Sequence, residues 1–263
     1  MSVERIAIGL ARHCEPTDAR SARPECASPR LLAPADWDNI RLVVFDVDGT
    51  LYSQPRLRLR MARDMMVHVA KMRSLDVPVI ISTYRRIRER VAEREVPDFE
   101  TALVAETAAA TRLAATEIRA VIDEWIERRP LPYLAACIYP GVAALFSGLR
   151  RQGKIIGVLS DYPAAAKLDA LGLEADHVLC AADHGIGVLK PNPCGLQVMM
   201  EAADAAPGET VLIGDRADRD GAAAKRAGAW PLIRSAKAVD GWQTFARFDD
   251  PLFANFLPSR LQR

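Results

Sequence analysis

Leu-Val-Val-Phe-Asp-Val-Asp-Gly-Thr-Leu, at residues 42–51, is the stretch around which the chain is organised. Its first four residues are apolar and partly β-branched, which predicts a buried strand. Asp46 and Asp48 follow at once, then Gly49 and Thr50. Side chains alternate along an extended chain, so the two carboxylates are expected to point the same way. Like charges that close are costly unless a cation or a shared proton lies between them. Packing gives no reason to accept that cost, and a site at the carboxyl end of a parallel strand does.

From residue 140 onward, strand and helix patterns take turns. Val142, Leu145, Phe146 and Leu149 form one helical face, and residues 155–159 read as a buried strand. Helices are expected near 163–171, 194–205 and 219–227, with strands at 177–181, 210–214 and 231–233. Such alternation is the pattern of a parallel sheet with helices on both faces. Three further positions at strand or loop ends carry polar groups: Ser160 with Asp161, Lys190 before Pro191, and Asp215 with Asp218 and Asp220. In a parallel sheet all of these ends share one edge.

Residues 53–138 read differently. Met61, Met65, Met66, Val69 and Met72 recur at near-helical spacing over 56–73. The segment 78–95 opens on Val79-Ile80-Ile81, ambiguous between strand and helix, and its charged continuation favours helix. Residues 116–129 are the clearest helix, with Ile118, Val121, Ile122, Trp125 and Ile126 on one face. Thr116 is expected to cap it, with Glu117 in the first turn and Pro130 and Pro132 beyond its end.

The order of these motifs is similar to that of the haloacid dehalogenase superfamily, most of whose members are Mg²⁺-dependent phosphatases. The resemblance covers residues 42 to about 235, and the long interval between Asp46 and Ser160 leaves room for a helical cap. It implies an α/β fold: a Rossmann-like three-layer core with a parallel sheet (39–52 and 139–240) and a smaller helical cap domain (53–138). Asp46 is then the nucleophile that forms an aspartyl-phosphate, and Asp48 the acid and base. Ser160, Asp161 and Lys190 hold the phosphoryl group. Mg²⁺ is bound by Asp46, the backbone carbonyl of Asp48, and Asp215. Asp218 or Asp220, with Asp220 preferred, holds the metal's waters or Lys190. Many relatives have Asn where Asp161 stands. The second carboxylate, Asp48, disfavours dehalogenase activity.

The expected activity is hydrolysis of a small phosphomonoester. Rivals are a phosphomutase of the same fold, a phosphatase of a lipid-linked phosphosugar, and a non-catalytic partner-binding protein. A formal net charge of +1 on 263 residues, half of them hydrophobic, gives a sizeable core and no global field for nucleic acid. Five scattered cysteines without a Cys-x-x-Cys pair argue against a disulfide framework or zinc site, and point to a reducing cytosol. No run approaches the roughly 18 apolar residues of a membrane span, and no signal peptide is read at the N-terminus. Residues 1–38 read as a disordered or loosely packed tail. The aromatic segment 241–263 is expected to pack on the core, a membrane or partner contact being the lesser reading. Residues 53–90 carry ten positive and three negative side chains, an electropositive lid or simply a solvated face. The chain is taken as a monomer or homodimer.

Overall fold

The run at 42–45 forms strand β1 (Leu42–Phe45), buried throughout. Its alternation divides the interior into two layers. Val43 and Phe45 join one apolar cluster, and Leu42 and Val44 join another on the opposite face. The computed structural model describes residues 31–258.

After β1 come helices α1 (Gln54–Met72), α2 (Asp76–Glu93), α3 (Phe99–Thr111) and α4 (Ala115–Ile122), a π-helical turn (Asp123–Arg128) and α5 (Leu131–Leu134). The alternating part then runs α6 (Val142–Arg151), β2 (Ile155–Ser160), α7 (Ala165–Leu171), β3 (His177–Cys180) and α8 (Cys194–Ala202). It ends with β4 (Thr210–Gly214), α9 (Ala222–Ala227), β5 (Trp230–Arg234) and β6 (Thr244–Phe245). The six strands are all parallel, in the order β3-β2-β1-β4-β5-β6. Side chains from α6 and α7 fill the layer on the Phe45 face, and those from α8 and α9 the other. This is the expected α/β, Rossmann-like architecture. Winding reverses at β1, whose neighbours are β2 and β4, and such a switch point opens a crevice outside the strands' carboxyl ends.

The insertion between β1 and α6 has its own apolar cluster, where Ile80, Tyr84, Ile87 and Val91 of α2 meet Leu103 and Ile118. Val79-Ile80-Ile81 thus lies on a helix. Helix α1 is mostly exposed, with Leu57 its single buried side chain. The segment read as one helix over 116–129 begins a residue earlier and changes to π-helical geometry at Asp123. Thr116 does not cap it. Glu117 reaches back instead to accept the Ala114 N–H at 2.9 Å, satisfying one of the first turn's free donors.

The boundary of the N-terminal tail needs correction. Residues 1–30 lie outside the described residues, but Pro34–Asn39 forms a 3₁₀ helix and Trp37 is 1% exposed. Its ring meets Phe256 edge-on at 5.1 Å and Phe253 at 5.9 Å. A single indole carries enough apolar area to anchor a polar stretch, a signal that averaged composition hides. Phe245, Phe248, Phe253 and Phe256 are buried in the same cluster as Phe45. Among the described residues, no helix is long and apolar enough to cross a membrane.

Candidate active site

Parallel pairing assembles the site. Phe45 is in register with Ile213 on one side and Val158 on the other, and Asp46 N–H donates to the Ile213 carbonyl at 2.9 Å. Asp46, at the tip of β1, therefore sits beside Asp215 at the tip of β4. Asp46, Asp48, Asp161, Lys190, Asp215 and Asp220 all line one cleft of about 930 Å³ between the sheet edge and the helical insertion.

Lys190 is at its centre. Its Nζ lies 2.7 Å from Asp46 Oδ1, 2.6 Å from Asp220 Oδ1 and 3.2 Å from the Leu159 carbonyl, and the residue is 4% exposed. Burial works against the ammonium, but Asp220, Asp46 and Asp161 outweigh it and hold Lys190 well above its ordinary pKa. Thr50 Oγ1 donates to the other oxygen of Asp46 at 3.1 Å. Burial pushes Asp46 well up; Lys190 opposes this, while Asp220, Asp215 and Asp48 add to it. Asp215 is pushed up to about 6, by burial and then by Asp220.

Carboxylate oxygens of Asp46, Asp215 and Asp220 lie within 4.8 Å of one another. Three hard carboxylate oxygen donors gathered this closely suit a divalent cation. The glycine at 49 makes this approach possible. Its φ is +103°, and a Cβ there would stand 2.1 Å from Asp215 Oδ2.

Asp48 has a separate environment. Lys167 Nζ reaches its two oxygens at 2.8 and 2.6 Å, and the Tyr52 hydroxyl donates to Oδ1. Burial favours the neutral acid, yet Lys167 prevails and Asp48 lies below its ordinary value. Its side chain thus stands apart from the acidic trio, and its backbone carbonyl accepts from Gln54 Nε2 at 2.7 Å. Ser160 is buried at the end of β2, its Oγ accepting the Tyr162 N–H at 3.2 Å. Asp161 Oδ1 accepts the Lys190 N–H at 3.3 Å.

The structure separates the two acids of the last motif. Asp220 is 2% exposed and accepts the Arg216 N–H at 3.0 Å, whereas Asp218 faces solvent and pairs with Arg216 at 2.7 Å. Among the described residues no histidine joins an acidic cluster, and Asp183 closes a turn by accepting the Cys180 N–H at 2.7 Å.

Several site residues had no role in the sequence reading: Thr50, Tyr52, Lys167, and from α2 Arg88 and Glu89. Arg88 donates to the Asp161 carbonyl at 2.6 Å and stacks 3.8 Å above Tyr162. Glu89 accepts from Arg216 at 2.8 Å and Arg219 at 2.9 Å. These contacts seat α2 over the loops that follow β2 and β4.

A family model described as haloacid dehalogenase-like hydrolase matches residues 40–228. The chain belongs to that family. It is accordingly a hydrolase. The phosphoglycolate phosphatase of Rhodospirillum rubrum is 26% identical over 225 residues, covering 80% of this chain and 87% of that protein. A 2-haloacid dehalogenase from Pseudomonas syringae pv. Tomato DC3000 has a similar fold (TM-score 0.54, 21% identity, 80% of this chain and 95% of that one). So does the magnesium-bound putative hydrolase YfnB of Bacillus subtilis (TM-score 0.57, 15% identity, 80% and 96%).

Proposed function

We propose that this hydrolase is a Mg²⁺-dependent phosphatase, cleaving a phosphomonoester by way of an aspartyl-phosphate on Asp46. The observation that carries the reading is the buried Lys190 ammonium bridging Asp46 and Asp220 beside Asp215, deep in a cleft that also holds Asp48.

Asp46, Asp215 and Asp220, with the Asp48 carbonyl, would hold the cation, which when bound offsets the negative charge of carboxylates and phosphate alike. The carbonyl's hydrogen bond from Gln54 leaves a second lone pair free. Thr50 and Lys190 fix the Asp46 carboxylate, so one oxygen can be aimed at phosphorus. Attack forms an Asp46 O–P bond and breaks the bond from phosphorus to the alcohol oxygen, which takes a proton from Asp48. Lys167 and Tyr52 hold Asp48 in the ionised form, the form that accepts a proton from the attacking water in the second step. For the first step Asp48 leaves Lys167, takes up a proton from solvent and passes it to the leaving oxygen; in the second, water attacks phosphorus, the Asp46 O–P bond breaks, and Asp48 receives the water's proton. Asp161 accepts from the Lys190 backbone N–H and so positions that lysine, and Ser160, buried at the end of β2, supports the loop beside it. The helical insertion acts as a cap, seated by Arg88 and Glu89.

Phosphate release from a panel of phosphorylated metabolites, with and without Mg²⁺, tests the reading. Release that requires Mg²⁺ and falls by about 10³-fold or more in Asp46→Asn is expected. Full activity in Asp46→Asn, or turnover unaffected by a chelator, would sink it.

A further inference from the structure

We infer that the alcohol portion of the substrate is bulky and apolar, so that the preferred phosphomonoester is neither a two-carbon acid nor a polyol. The inference rests on the phosphatase reading and deepens it. The cleft, at about 930 Å³, lies near the upper end of small-molecule sites. A phosphorylated two-carbon acid fills a small fraction of it.

Beyond the carboxylates, one side of the cleft carries a continuous apolar stripe. Leu57, Met61 and Met65, four residues apart along α1, present one ladder to the cleft. Ile81, Trp125 and Ile126 complete the enclosure, from α2 and the π-helical turn. Arg129, stacked 4.2 Å from the Trp125 ring, and His68, edge-on at 5.0 Å, hold that indole in place. Thioethers and an indole suit an apolar group, and methionine adapts to its shape.

A polyol's hydroxyls both donate and accept, and each buried O–H without an acceptor is left unpaired. Among the lining residues of the insertion, Gln54 and Glu89 are the two whose side chains carry acceptor oxygens. Gln54 Oε1 already accepts from Arg58 at 2.6 Å, and Glu89 is taken by Arg216 and Arg219. Arg85 and Arg86 are exposed at the cleft's mouth. There they attract any phosphate dianion alike and give no preference between one alcohol and another.

The full chain with Mg²⁺ is assayed on primary n-alkyl phosphates from ethyl to octyl, whose leaving groups have nearly equal basicity, beside phosphoglycolate and a hexose phosphate. kcat/KM is expected to rise about four-fold per added methylene over the first few, with phosphoglycolate and the hexose phosphate at the low end. Met61→Ser/Met65→Ser is expected to lower the octyl-to-ethyl ratio by about ten-fold. The matching n-alkylphosphonates, titrated by calorimetry, are expected to show the same gradient in Kd without turnover. A flat chain-length series, a preference for phosphoglycolate or the hexose phosphate, or an octyl-to-ethyl ratio unchanged in the double variant overturns the inference. If no phosphate is released from any compound, the phosphatase reading fails, and the phosphonate gradient still decides the apolar site.

Discussion

Lys190→Met removes the ammonium between Asp46 and Asp220 and keeps a side chain of similar bulk. Three carboxylates with oxygens inside 4.8 Å are then left without their buried cation. Deleting one partner of a buried ion pair costs about 3–5 kcal/mol. At roughly 2–4 °C per kcal/mol for a chain of this size, the melting temperature should fall by about 10 °C near pH 8. Proton uptake can relieve the loss, and its sign follows from Asp215, whose pKa is pushed up to about 6 from an ordinary 3.8. Between those values the folded state binds more protons than the unfolded state, so stability falls as pH rises through this window. Without Lys190, Asp46 loses the cation that now opposes its upward shift. The deficit of the variant relative to the parent is therefore largest above pH 6 and shrinks as the pH falls toward 4. Thermal melts of both proteins across that range, without divalent cations, measure it. A variant that melts with the parent near pH 8, or whose deficit grows on acidification, refutes the electrostatic account.

Glu89→Gln tests the seat of α2. Burial works against the Glu89 carboxylate, but hydrogen bonds from Arg216 and Arg219 keep it below its ordinary 4.5. Its contribution is present above that value and lost as pH falls through the lowered one. With its side chain 49% exposed, screening limits this to about 1 kcal/mol. The variant should melt a few degrees below the parent at neutral pH, with the gap closing as the pH falls below 4.5; a gap that stays constant would refute the pairing. Gly148→Ala probes the C-terminal turn, because a Cβ there would stand 1.9 Å from the Phe256 carbonyl oxygen. Backbone must move, at about 1–3 kcal/mol, and a parent-like urea midpoint would show that α6 and this turn are not so closely packed.

What could be read in the sequence was local. Leu42 to Phe45 announce a buried strand, and Asp46 and Asp48 stand next to it, so both the central strand and its acids are visible in ten residues. Lys190 was legible through its place in a series of strand ends. Lys167 had no such signal, being a single lysine among alanines in a seven-residue helix. The parallel sheet alone brings it to Asp48 across 119 residues. Asp218 and Asp220 differ by two positions in the chain, and the π-helical turn at Ala217–Gly221 is what buries one and exposes the other. Trp37 was lost in the average of a polar tail.

The missed cations alter how the site's charge is understood. Read from motifs, one lysine faced a row of acids. In the structure each of the two acids after β1 has its own ammonium, Lys190 on Asp46 and Lys167 on Asp48. Asp46, Asp48, Asp215 and Asp220 still outnumber the two lysines by two charges. Burial first, and the neighbouring carboxylates after it, raise Asp46 and Asp215, while Lys167 and Tyr52 draw Asp48 the other way. Among these six groups the unbalanced charge lies on the side of the cleft where the three carboxylates converge. That localisation, which no single motif contains, supports the proposed placement of a cation beside Asp46 and the proposed proton-transfer role of Asp48.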